Sequence, residues 1–174
     1  MRLFEFIVQG GSIMYFLVLM NVVGMSIMFW RGYVLYEFKK NLQSHTESII
    51  QILHKIGLSK TGSQSLPVVK DTISSEVHKL EVGLNTIKII ATIAPLLGLL
   101  GTVVGILSAF QVIAQEGLSN PAAFADGISL ALITTVGGLV VAIPHYIAYN
   151  YIVGFLDDTE ISLENKILPI FFGN

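Results

Sequence analysis

Three stretches of the chain, residues 12–30, 89–115 and 127–156, contain no Asp, Glu, Lys or Arg. Each is long enough to cross a bilayer as a helix. The pattern therefore predicts an all-α membrane protein with three spans: the first over 12–38 including a polar extension, the second over 89–115, the third over 125–155. A polar, periodic segment fills 39–88, a short link fills 116–124, and a helical tail runs over 156–174. Residues 1–11 are too short for a signal peptide and have no cleavage site. Leu3, Phe4, Phe6, Ile7 and Val8 suit a short interfacial helix, with a frayed terminus as the alternative. Ser12, after Gly10 and Gly11, is placed to cap the first span, and Trp30, Arg31, Tyr33 and Tyr36 mark its far interface.

Beyond the first span, Leu35, Phe38, Leu42, Ile49, Ile52, Leu53 and Ile56 recur every three or four residues where the pattern is clearest, as on one face of a helix. Residues 57–67, with Gly57, Gly62, Ser63 and Pro67, read as a turn. Ile73, Val77, Leu80, Leu84, Ile87 and Ala91 then form a heptad seam that enters the second span without a break. The expectation is one helix over 68–116, about 70 Å long, which projects well beyond the membrane. Asn120-Pro121 ends it and starts the third helix, whose pattern continues through Ile152, Leu156, Thr159, Leu163 and Ile167 until Pro169 ends it.

The second and third spans are not plain apolar rods. Gly98, Gly101 and Gly105 follow Pro95, and Gly101 and Gly105 have the spacing of a close helix-packing motif. Ala131, Thr135, Gly138 and Ala142 form a second small-residue face, followed by Pro144. Both prolines remove a backbone donor and loosen the helix, so Pro95 and Pro144 are the expected kinks. Thr102 sits in the first face, and Thr135, beside Thr134, in the second. Two such faces on antiparallel neighbours would line one surface together. Threonines in membrane helices more often pack or bond their own backbone than serve transport, so on the residues alone both readings stand.

Composition agrees with the pattern. Hydrophobic residues make up 53% of the chain and charged residues 13%, against about 25% charged in soluble domains. There is no cysteine, which removes disulfides, thiol catalysis and thiolate metal sites. The net charge of −2 offers no basic surface for nucleic acid. Arg31, Lys39, Lys40, Lys55, Lys60, Lys70, Lys79 and Lys88 all lie between the first two spans, and the short link has no Lys or Arg. The positive-inside rule places the long segment and the C-terminus in the cytoplasm and the N-terminus across the membrane. His45 and His54 have no third ligand near them and suit solvated surface rather than metal. Between Gly127 and Leu156 the one ionisable residue is His145, a position that by default suggests a proton relay. Counting about 20 residues from the start of the span instead puts it at the cytoplasmic boundary, as a satisfied interfacial histidine. No nucleophile–base pair, metal cluster or cofactor motif converges anywhere, so an enzyme is not expected.

The run from Ala94 to Gly105 (APLLGLLGTVVG) resembles the second-helix motif of the ExbB/TolQ proton-channel family almost position for position. MotA is a more distant relative of that family. Gly10 to Tyr15, and the third-span pattern of Gly127-Ile128, Ala131-Leu132, Thr135, Gly138-Leu139, Ala142-Ile143-Pro144 and Tyr149-Asn150, resemble the family as well. The resemblance implies a ring, typically a pentamer, in the bacterial inner membrane. Second and third helices would line a central pore that holds the membrane helices of an ExbD/TolR-like partner with a proton-carrying aspartate. The motor would energise a TonB- or TolA-like protein. It also implies that Thr102 and Thr135, with Thr134 beside them, line the proton pathway. Leu130 departs from the family, which commonly has glutamate there, and His145 stands where a small or apolar residue is expected. The alternatives are a self-sufficient channel or transporter and a structural membrane scaffold.

Overall fold

The computed structural model describes residues 3–56, 65–117 and 121–172. Their ordered elements are helical: α1 (Leu3–Gln9), α2 (Gly11–Lys40), α3 (Leu42–Lys55), α4 (Leu66–His78), a 3₁₀ turn (Lys79–Glu81), α5 (Leu84–Glu116) and α6 (Pro121–Phe172). Three helices, α2, α5 and α6, are long and apolar enough to cross a membrane, as the charge-free stretches predict. The residues form two compact units, Met1–Met28 with Thr86–Ala148 and Phe29–Asn85 with Tyr149–Asn174.

In the first unit Met14 and Leu17 of α2, Ile90 and Ala94 of α5, and Val141 and Ala142 of α6 make one buried cluster. Ile7 packs against it from α1, so the N-terminal segment is a helix. Gly11 has φ 62°, a left-handed value that an L side chain resists, and this turns the chain from α1 into α2. Ser12 therefore lies inside the first turn of α2 and is exposed, not a cap before it.

The second unit buries Leu35, Phe38, Ile49, Leu53, Val69, Ile73 and Val77, together with Ile152, Leu156, Leu163, Ile167 and Phe171 of α6. Ile52 and Ile56, expected on the same face, are exposed, because α3 buries only one stripe, Thr46, Ile49 and Leu53. His45 stacks on Phe38 with ring centroids 4.2 Å apart, and His54 meets Phe171 at 5.6 Å. Both histidines thus add aromatic contact while remaining exposed. Lys70 and Glu164 pair at 3.1 Å between α4 and α6 at the surface, where such a bond adds little stability.

The helix expected over 68–116 is not continuous. α4 tightens into the 3₁₀ turn, Val82 is extended, and Gly83 takes φ 86° before α5 begins at Leu84. Ile73, Val77 and Leu84 are buried even so. The break changes the path of the chain but keeps the apolar stripe, which is why heptad counting does not detect it. The tail differs in the other direction. α6 continues past Pro169 to Phe172, since Ile167 and Phe171 are both buried and their packing holds a last turn that lacks one backbone donor. The turn expected over 57–67 falls mostly outside the described residues, and its last two, Leu66 and Pro67, already open α4. Asn120 also lies outside them, whereas Pro121 opens α6 as expected.

Gly83→Ala tests the break. An L side chain in the left-handed region costs about 1–2 kcal/mol, so the substitution lowers the thermal unfolding midpoint in detergent. In a continuous helix the same change would raise it.

Candidate functional site: the small-residue seam between α5 and α6

Gly117, with φ 69°, closes the end of α5 in the left-handed conformation typical of a helix C-cap, and α6 returns antiparallel. The two small-residue faces, expected to line one surface side by side, are turned against each other. A Cβ added at Gly138 would lie 2.6 Å from the Ala94 carbonyl oxygen and 3.1 Å from the Gly98 Cα. One at Gly98 would lie 3.0 Å from the Thr134 carbonyl oxygen and 3.1 Å from the Thr135 Cα. One at Gly105 would lie 2.6 Å from the Gly127 carbonyl oxygen and 2.9 Å from the Ala131 Cβ, and one at Gly127 would meet Ala109 at 2.9 Å. Backbone therefore rests on backbone along the seam. In lipid, where apolar burial between helices gives no driving force, such close van der Waals contact holds the pair.

The threonines follow from this geometry. Thr134 fills the space left by the missing side chain of Gly101, is 1% exposed, and donates to its own helix at the Ala131 carbonyl, 2.9 Å. Thr135 is half-buried and donates across the seam to the Gly98 carbonyl at 3.3 Å. Thr102, half-buried, donates to the Leu99 carbonyl of its own helix. Each hydroxyl proton is thus held on a backbone carbonyl, and a lone pair on each oxygen remains able to accept. Leu130 is half-buried one turn from Thr134. Ala142 packs in the three-helix cluster with Ala94. Pro95 and Pro144 are half-buried, and α5 and α6 run on through them.

His145 does not match the satisfied interfacial residue that counting suggests. It is fully buried, its Nδ1 lies 2.7 Å from the Val141 carbonyl oxygen, and its Nε2 has no hydrogen-bond partner among the described residues. The imidazole edge lies over Gly24 of α2, in space that a Cβ on Gly24 would occupy, beside the Ile90 side chain. The sequence reasoning missed Gly24. The available signal is a lone glycine among large residues in the first span, opposite the one ionisable side chain of the third. Met14 uses the same device, with its thioether against Gly137.

Three apolar helices, two of them locked as an antiparallel hairpin by facing glycines and alanines, define a multi-pass helical membrane protein with no Asp, Glu, Lys or Arg in residues 12–30, 89–115 and 127–156. Residues 40–165 match the MotA/TolQ/ExbB proton channel family, and the chain belongs to it. It is 38% identical over 122 residues to a biopolymer transport protein ExbB homologue of Methanothermobacter thermautotrophicus, covering 70% of this chain and 43% of that one. It is 47% identical over 70 residues to the biopolymer transport protein ExbB of Aquifex aeolicus, covering 40% and 47% of the two chains. It is also 44% identical over 78 residues to the Tol-Pal system protein TolQ of Pseudomonas aeruginosa, covering 45% and 34%. The matched region thus spans less than half the length of each of these relatives.

Two substitutions test the contacts. Gly138→Ala forces the seam apart and costs about 1–3 kcal/mol as an overpacked site, whereas Gly154→Ala, where a Cβ meets nothing within 4 Å, does not lower the unfolding midpoint in detergent. Gly24→Ala is destabilising alone. Combined with His145→Ala it loses much of that effect, and the double-mutant cycle gives a coupling of about 1–3 kcal/mol.

Proposed function

We propose that the chain is the proton-channel subunit of an ExbB/TolQ-type motor in a bacterial inner membrane, assembled as a ring of five around the membrane helices of an ExbD/TolR-like partner. One observation carries the reading. The three charge-free stretches supply hydroxyls and one buried imidazole but no carboxylate, so a carboxylate able to carry the proton must come from another chain. The positive-inside pattern puts the N-terminus and the α5–α6 link in the periplasm and the C-terminus in the cytoplasm. A proton crossing this membrane releases about 2.3 kcal/mol per 100 mV.

On this proposal the partner's aspartate, when charged, accepts hydrogen bonds from Thr102 and Thr135, whose hydroxyls exchange a backbone carbonyl for the carboxylate. Protonation weakens those bonds and lets the central helices move relative to the ring. The movement energises a TonB- or TolA-like protein. Thr134 is sealed in the seam against Gly101, which leaves it the task of holding α5 and α6 in register. No step here is enzymatic. His145, remote in sequence from Leu130, does not replace the family's glutamate.

Thr102→Val and Thr135→Val each preserve shape. The second removes one interhelical hydrogen bond, worth about 0.6 kcal/mol on average in membrane bundles. Both variants assemble with an ExbD-like partner, as read by native mass spectrometry, and both lose energised transport in cells. Normal transport in both would sink the mechanism. Leu130→Glu also assembles, because the half-buried site has an open side. Proton flux through liposomes holding this chain alone would favour the self-sufficient channel instead.

A further inference from the structure

A groove between the ends of α2 and α6 in the second unit is distinct from the seam. Its apolar part is a cavity of about 250 Å³ floored by Gly32 and walled by Leu35, Tyr36, Ile152 and Phe155. Next to it, a cavity of about 400 Å³ is lined by Lys39, Gly154, Phe155 and Asp158. Lys39 and Phe155 line both, so the two form one continuous groove, apolar at one end and charged at the other.

Three observations indicate that this groove is shaped for an occupant. Gly32 and Gly154 lie inside long helices, and a Cβ on either would meet nothing within 4 Å. A helix-interior glycine costs about 1 kcal/mol relative to alanine, and no close packing within this chain accounts for either one. Lys39 holds its amine 5.7 Å from the centre of the Phe155 ring, over the groove. Among the described residues, Lys39 and Asp158 form no ion pair with each other although both line the same cavity. The groove thus holds one cation and one carboxylate that remain available to a ligand.

The surroundings specify its class. Phe29, Trp30, Tyr33 and Tyr36 are all more than half exposed on α2, the aromatic signature of a membrane–water interface. Tyr151 on α6 is 78% exposed. A ligand at that depth has hydrocarbon on one side and a polar headgroup on the other. We propose that the groove binds a zwitterionic phospholipid with a phosphoethanolamine headgroup. Its phosphate pairs with Lys39, its ammonium donates to Asp158, and an acyl chain lies over Gly32 between Leu35 and Ile152. Asp158 selects against phosphatidylglycerol, whose neutral glycerol brings no cation and leaves the phosphate and the carboxylate to share Lys39 alone. It also selects against choline, whose quaternary nitrogen has no N–H to donate.

The proposal rests on the membrane-protein assignment and not on the motor reading, so the test uses the full chain without any partner. Native mass spectrometry of detergent-purified protein is run with phosphatidylethanolamine, phosphatidylcholine and phosphatidylglycerol of identical acyl chains. Phosphatidylethanolamine adducts exceed both others by about tenfold or more, the scale of one charge-assisted hydrogen bond. Lys39→Gln weakens binding of all three lipids. Asp158→Asn removes the preference for phosphatidylethanolamine and leaves the phosphate contact. Gly154→Leu fills the groove and abolishes binding at unchanged helical content by circular dichroism. Equal or stronger phosphatidylglycerol binding, or unchanged selectivity in Asp158→Asn, overturns the proposal. So does a Gly154→Leu variant that loses self-association while the parent protein binds no lipid, an outcome that would assign the groove to a second copy of the chain.

Discussion

Everything in the membrane part of this protein depends on the approach of two backbones. Between α5 and α6 the contacts run from Gly105 against Gly127, through Gly101 against Thr134, to Gly98 and Ala94 against Gly138. In a bilayer there is no water to expel from between helices, so the gain must come from contact area at short range. Side chains larger than alanine would separate the helices and forfeit it. One consequence is chemical: with backbones this close, the Gly98 carbonyl comes within reach of the Thr135 hydroxyl. The hydroxyls of Thr102, Thr134 and Thr135 are thereby satisfied on backbone carbonyls of the hairpin itself.

The same device joins α2 to the hairpin. Gly137 receives Met14, and Gly24 receives His145. The histidine pairing is the unusual one, because a fully buried imidazole has one nitrogen unpartnered among the described residues. Burying a polar atom without a partner is costly. The Val141 carbonyl bound by the other nitrogen fixes the ring so that the free one lies over Gly24, where there is least bulk to meet.

The second unit is held by different physics. There the apolar stripe of α4 and the end of α6 bury Val69, Ile73, Val77, Leu163 and Ile167, while Phe38 and His45 stack at 4.2 Å and His54 meets Phe171 at a tilt at 5.6 Å. This is ordinary hydrophobic packing, strong where water is excluded. It tolerates the interruption at Gly83 because burial depends on which side chains face inward, not on an unbroken helix.

Charge-free length and small-residue spacing are properties of the chain itself, and they determined the class and the three spans, while the motif from Ala94 to Gly105 carried the family resemblance. A lipid solvent makes those features compulsory, since an unsatisfied backbone or a stray charge is expensive there. Periodicity could not determine where a helix bends. Ile73, Val77 and Leu84 keep their spacing across a break that one positive φ at Gly83 creates. Nor could it orient the glycine faces, because a face suited to a pore and a face suited to close packing have the same composition. Only the tertiary structure turned Gly98 and Gly138 toward each other, left Thr102 half-buried, and set Gly24 beneath His145. Those outcomes depend on which helix stands opposite, and residues far apart in sequence meet only once the helices have packed.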